Sequence, residues 1–261
     1  MKNNKHILIT LMSVYLAICI ALLNFSGCSV KAYAPEIYES DSEISEFPAG
    51  EEPRSSVVVF GQKYDIAFSS YKISSYTNER IEKYHLIDNE RGSISFDKDG
   101  DIVKLSFLGR ISNDAFDLES TEDIRKSIEA ELDELADFSV YNDFSLTTWA
   151  IDGTLDMKWQ VVRDLPCNIS VHLVVKKGGE IVTFLKTNAC PEHLTKQFIS
   201  DQVRDELLLQ ESNSRHTDCS IESISIESEI LSLYKGENAL LCTVKSVDKD
   251  GWSYLDVVVI H

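Results

Sequence analysis

The stretch "CNISVHLVVKKGGEIVTFLKTNAC", residues 167–190, sets two alternating apolar runs on either side of a glycine pair. Such a pair marks a two-residue hairpin loop, because both loop positions need positive φ. With Gly178 and Gly179 as the loop, Val175 faces Val182 and Leu173 faces Phe184. Counting outward then sets Cys167 opposite Cys190. Directly opposed strand residues have Cα atoms about 4.5–5.5 Å apart, within the reach of a disulfide.

The same device recurs on either side. "ISFDKDGDIVKLSF" (94–107), with Asp99-Gly100 as the loop, sets Phe96 against Val103 and Ile94 against Leu105. "VDKDGWSYLDVVVIH" (247–261), with Asp250-Gly251, sets Val244 against Val257 and Val247 against Tyr254. Two helices separate the hairpins. "STEDIRKSIEAELDELAD" opens on a capping Ser120 or Thr121 and spaces Ile124, Ile128, Leu132 and Leu135 along one stripe. "CPEHLTKQFISDQVRDELLLQ" has Pro191 at a first helical position and Leu194, Phe198, Val203 and Leu207 as its buried side. Each helix precedes about three strands: 143–150, 154–163 and 167–176, then 221–233, 239–247 and 252–260.

Aligning Gly153 with Gly236, an offset of 83 residues, superposes Val161 on Val244 and Val174-Val175 on Val257-Val258. The expected fold is therefore α+β: repeated units of one helix packed on a small antiparallel sheet, at 119–188 and 189–261, after an all-β first unit at 57–118. This helix-then-meander plan, with "MKWQVV" (157–162) and a strand opening on "KKGGEIV", resembles PepSY-type domains of exported bacterial proteins over about residues 120–261. The resemblance implies an extracytoplasmic module that binds or restrains partners, in some families a protease. It carries over no functional residue.

Lys2 and Lys5 precede an apolar run from Ile7 to Leu23, the pattern of an export signal. Phe25-Ser26-Gly27-Cys28 resembles the lipobox of bacterial lipoproteins, which implies a signal peptide over 1–27 and a diacylglyceryl group on Cys28. A retained anchor helix and ordinary cleavage remain as alternatives. The expected location is the outer side of the cell membrane, held by lipid. Residues 28–56 carry seven acids, two bases, and Pro35, Pro48 and Pro53, and read as a disordered acidic tether. Loss of 1–27 removes two lysines and no acid, leaving 23 basic against 43 acidic side chains. That balance excludes nucleic acid as a partner, which demands basic patches.

Chemistry-bearing motifs are sparse. "DKDGD" (97–101) offers Asp97, Asp99 and Asp101, but an EF-hand needs glycine and glutamate where Ile102 and Leu108 stand. Cys190 with His193, and His216 with Cys219, supply a zinc-like ligand set, but a helix over 191–210 would hold the pairs about 30 Å apart. Cys190 at a helix N-terminus beside His193 could be an activated thiol. The competing reading is a bridge to Cys167, one of three pairings open to Cys167, Cys190, Cys219 and Cys242. Trp149, Trp159 and Trp252 fall in strands and read first as core residues, with a ligand groove as the alternative. His85, His172 and His261 have no partner at an informative spacing. No cofactor or metal motif is present. The expectation is a non-enzymatic, membrane-anchored surface lipoprotein that binds a peptide, protein or envelope component. The alternative is an exported hydrolase with a site built from dispersed acids.

Overall fold

The computed structural model describes residues 31–32, 43–112, 114, 116, 118, 120–149 and 153–261. The expected signal peptide (1–27), Cys28 and most of residues 29–42 lie outside them. The strands are β1 (Lys31–Ala32), β2 (Ser56–Val59), β3 (Gln62–Ile73), β4 (Arg80–Leu86), β5 (Asn89–Phe96), β6 (Ile102–Ser106), β7 (Asp143–Thr148), β8 (Leu155–Val162), β9 (Pro166–Val175), β10 (Ile181–Asn188), β11 (Ile221–Tyr234), β12 (Glu237–Asp248) and β13 (Ser253–Ile260). Among the described residues two α-helices interrupt them, α1 (Thr121–Glu131) and α2 (Asp201–Arg215). No helix among the described residues is long and apolar enough to cross a membrane.

The expected α+β plan of repeated helix-on-sheet units is overturned. The chain is mostly β, and its strands join into one mixed sheet in the order β1-β13-β12-β11-β9-β10-β6-β5-β4-β3-β2, with β8 and β7 continuing from the other edge of β9. At an offset of 83 residues α1 and β7 to β9 do fall on α2 and β11 to β13 in chain order. They are not separate bodies, because β10 pairs with β6 and thereby fuses the 57–118 strands to those after α1. Period-2 patterning assigns faces but says nothing about which strand edges meet.

All three hairpins form, with three-residue loops. Gly100, Gly179 and Gly251 sit at φ +86°, +85° and +83°. Each donates its N–H three residues back, to the carbonyls of Asp97, Lys176 and Asp248. Asp97, Lys176 and Asp248 then donate to the carbonyls of Asp101, Glu180 and Trp252. A type I turn closed by a residue in the left-handed region accounts for the first and third loops, whereas in the second Gly178 is also at positive φ, +107°, as the third residue of a type II turn requires. The extra loop residue shifts register by one. A bulge between Ser95 and Phe96 restores Ile94 opposite Leu105, while Phe96 faces Ile102 and not Val103. A bulge between Ile181 and Thr183 restores Leu173 opposite Phe184, while Val175 faces Ile181 and not Val182. The third hairpin has no compensating bulge, so Val244 faces Asp256 and Val247 faces Ser253. Asp256 is thereby turned inward, on the face of Val258 and Ile260.

Ser120 caps α1 by accepting from the Asp123 N–H, and Ile124 and Ile128 are buried. They cover a core formed by Tyr84, Ile94, Leu105, Trp159, Leu173 and Phe184. The second helix starts ten residues later than its apolar spacing predicts, at Asp201 behind the capping Ser200. Its inward line is Arg204, Leu208, Ser212 and His216, one residue per turn. Arg204 pairs with Glu229 at 2.7 Å, Leu208 enters the second core, Ser212 accepts from Ser246 Oγ at 3.1 Å, and His216 meets Asp256 at 2.8 Å. Val203 and Leu207, expected to be buried, are 47% and 39% exposed. Polar contacts with the sheet set this helix's rotation, so an apolar stripe could not reveal it.

Part of the acidic N-terminal segment is docked. Ile44 exchanges backbone hydrogen bonds with Tyr71 at 2.8 and 2.9 Å, and Phe47 packs edge-on against Phe68. Glu43 pairs with Lys83, and Glu51 with Arg80.

Candidate functional site

The site follows from where pairing stops. β10 pairs with β6 through Thr183, Phe184 and Leu185, opposite Ser106, Leu105 and Lys104. Beyond Leu185 it runs on to Asn188 beside β9 alone, with Lys186 opposite Val171 and Asn188 opposite Ile169. A bulge between Ser95 and Phe96 interrupts the β5–β6 ladder beside this point. The sheet therefore splays between β6 and β10.

Backbone groups in an antiparallel strand point alternately to its two neighbours. The Ala189 N–H donates to the Asn168 carbonyl at 2.8 Å, so odd-numbered residues here face β9. The Asn188 N–H and C=O face the gap, and Asn188 is exposed.

The gap opens into a cavity of about 1090 Å³. Asp97, Asp101, Val103 and Lys104 form one lip, and Lys186, Thr187 and Asn188 the other. Its far side is the β3–β4 turn, Ser74 to Glu79, on which the β11–β12 hairpin tip is docked: Lys235 N–H donates to Ser75 O at 2.7 Å, and Gly236 N–H to Tyr76 O at 2.8 Å. Leu233 N–H donates to Ala189 O at 2.7 Å, and Cys167 lies opposite Leu231 in a parallel pair. The C-terminal strands thus brace the cavity at two points. The lining balances six acidic side chains against six basic ones in a chain of net charge −18.

Most of the lining charges are engaged. Lys83 holds Glu43 at 3.1 Å, and Arg163 donates to the Pro191 carbonyl at 2.7 Å. Asp97 Oδ1 accepts from the N–H groups of Asp99 and Asp101, which makes "DKDGD" a capped turn. Asp137 accepts from Ser139 N–H and Oγ–H, and these bonds hold its carboxyl below the usual carboxylate range.

Cys167 and Cys190 are buried side by side as free thiols, continuing the β9–β10 register past the Asn168–Ala189 bond. Burial first, and the Cys167 thiol second, push the Cys190 thiol up to about 12. Residues 191–199 form turns and one short 3₁₀ segment, so Cys190 is not at a helix N-terminus and has no activation. Burial likewise pushes Cys242 up to about 12. In reduced, folded protein at pH 8 an alkylating reagent is expected to label half-buried Cys219 first and to spare Cys167, Cys190 and Cys242. Mass mapping of the labelled peptides checks this. Early label on Cys190 would restore the reactive-thiol reading.

The His216–Asp256 pair is 5% and 3% exposed, and the imidazole lies 4.2 Å from the Tyr254 ring. It ties α2 to β13 and does not line the cavity. His172–Asp156, also 2.8 Å apart, is a half-exposed pair between β9 and β8. Cys219 donates to the His216 carbonyl at 3.6 Å, and neither residue lines the cavity whose wall contains Cys190. Among the described residues no three metal-capable side chains cluster.

At the β12–β13 turn, burial disfavours the Asp248 carboxylate. The Trp252 N–H, the Tyr254 hydroxyl and the Asp250 N–H outweigh that burial and hold the carboxyl below the usual range. A depressed folded pKa gives stabilisation that is present at neutral pH and lost as pH falls through it. Acid titration of Trp252 emission should therefore report opening of this turn, and the Asp248→Asn variant should lack that transition. An unchanged acid transition in the variant would assign it elsewhere.

The three tryptophans do not share a groove. Trp159 is fully buried and donates Nε1–H to Glu129 at 2.6 Å. Trp149 is 54% exposed beyond the end of β7, and Trp252 is 51% exposed in the β12–β13 turn. None lines the cavity. Comparison with protein-family models, with curated proteins and with solved structures gives no match.

Proposed function

We propose that this chain is a membrane-anchored extracytoplasmic lipoprotein, lipidated on Cys28, that binds an extended peptide segment of a partner protein in the cavity between β6 and β10 without catalysing a reaction. The observation that carries the reading is the unpaired β10 edge: Asn188 offers a backbone donor and acceptor to an incoming strand, as in binding by strand addition. Side chains of Lys104 and Thr187 flank that edge and supply selectivity. The cavity carboxylates named above are committed to turns and ion pairs, which favours binding over acid–base chemistry. Outside the cytoplasm the Cys167 and Cys190 thiols, exchanging with an oxidised dithiol, would close a bridge and leave the chain two hydrogens lighter and the dithiol reduced.

The test is a photocrosslinking residue at Thr187 in the full chain, irradiated in the native envelope, with Ile87, 62% exposed in the β4–β5 turn, as the control position. Polypeptide adducts at 187 and none at 87 are expected. Equal labelling at both positions, or adducts carrying only glycan or lipid, would overturn peptide binding.

A further inference from the structure

The short strand β1 pairs in parallel with β13, Lys31 with Tyr254 and Ala32 with Leu255. Parallel pairing fixes direction, so Lys31 is the end of β1 nearer to Ser253 and the Lys249–Trp252 turn. Three residue steps separate Lys31 from Cys28, a reach of at most about 10 Å. Trp252 is 51% exposed in that turn, and Leu255 on the β13 edge is 38% exposed. At this turn Lys249 stands against Asp250 and the ionised Asp248, a net charge of one negative, so the end suits a zwitterionic lipid surface and not an anionic one.

We infer that the β12–β13 turn and the adjoining β13 edge rest on the bilayer surface, with the Trp252 indole in the headgroup layer. This rests on the lipid anchor proposed above. An acyl chain tethered within three residues of this edge brings it to the membrane, and an amphipathic indole is the side chain suited to that depth. The consequence is an orientation. β12 runs 12 residues from the tip docked at the cavity to this turn. At ~3.3 Å per residue the cavity stands about 35–40 Å from the membrane end, open to partners away from the lipid.

The full chain, purified from membranes and reconstituted in phosphatidylcholine vesicles with brominated acyl chains, tests this by tryptophan quenching. Emission is expected to fall relative to unbrominated vesicles in the parent chain and in Trp149→Phe, and the bromine-dependent loss is expected to vanish in Trp252→Phe. Quenching that persists in Trp252→Phe, or no quenching of a chain shown by mass to carry lipid on Cys28, overturns the orientation alone. A chain whose N-terminal peptide carries no lipid overturns the anchor, and the orientation with it.

Discussion

Replacing Gly179 by alanine is expected to lower stability by about 2–4 kcal/mol, of which ~1–2 is the cost of a side chain held at positive φ. The remainder comes from a collision. A Cβ there would lie 2.0 Å from the Ile111 carbonyl oxygen, while Ile111 N–H donates to Gly179 O at 2.9 Å. The segment at Arg110 and Ile111 grips the β9–β10 loop, with Arg110 Nε also donating to Gly178 O at 2.7 Å. Moving it aside loses these bonds as well. Gly251→Ala is the comparison, because nothing lies within 4 Å of its Cβ and only the backbone cost applies, about 1–2 kcal/mol. Urea unfolding of both variants separates the two costs. Equal losses would mean that the 110–111 segment does not hold the loop.

Trp159→Ala is expected to be the most damaging single truncation, about 3–5 kcal/mol, the range for deleting a large buried aromatic. Its ring lies 5.0 Å from both Phe138 and Phe144 and joins α1 to the sheet through Glu129. Arg125 remains beside Glu129 at 2.7 Å, so the carboxylate keeps a partner and the loss is chiefly packing. Trp149→Ala should change stability by less than about 0.5 kcal/mol, as an exposed position does. Thermal unfolding measured on the two variants distinguishes a core tryptophan from a surface one. Comparable effects would place both in one environment and contradict the burial described above.

Hairpins and the first helix were legible because their signals are local. Alternation over 167–190 located β9 and β10, and Ile124 and Ile128 on one stripe located the buried face of α1. Loop length is not legible in the same way, because Asp-Gly and Gly-Gly serve two-residue and three-residue turns alike. The one extra loop residue turns Asp256 inward and so creates the His216 contact. The α2 face was illegible because Arg204, Ser212 and His216 carry it, and their partners are remote in sequence. Hardest to read was the β6–β10 junction. It joins Leu105 to Phe184 by backbone bonds that no side chain encodes, and the site is the place where those bonds end.

Amide hydrogen exchange at single-residue resolution in the native state tests that opening most directly. The Asn188 N–H should exchange at nearly the rate of an unstructured chain, while the N–H groups of Thr187 and Ala189 on either side, bonded to β9, persist at least ~100-fold longer. Protection of Asn188 equal to that of its two neighbours would mean that β10 is paired on both edges and that the sheet has no gap for a ligand to enter.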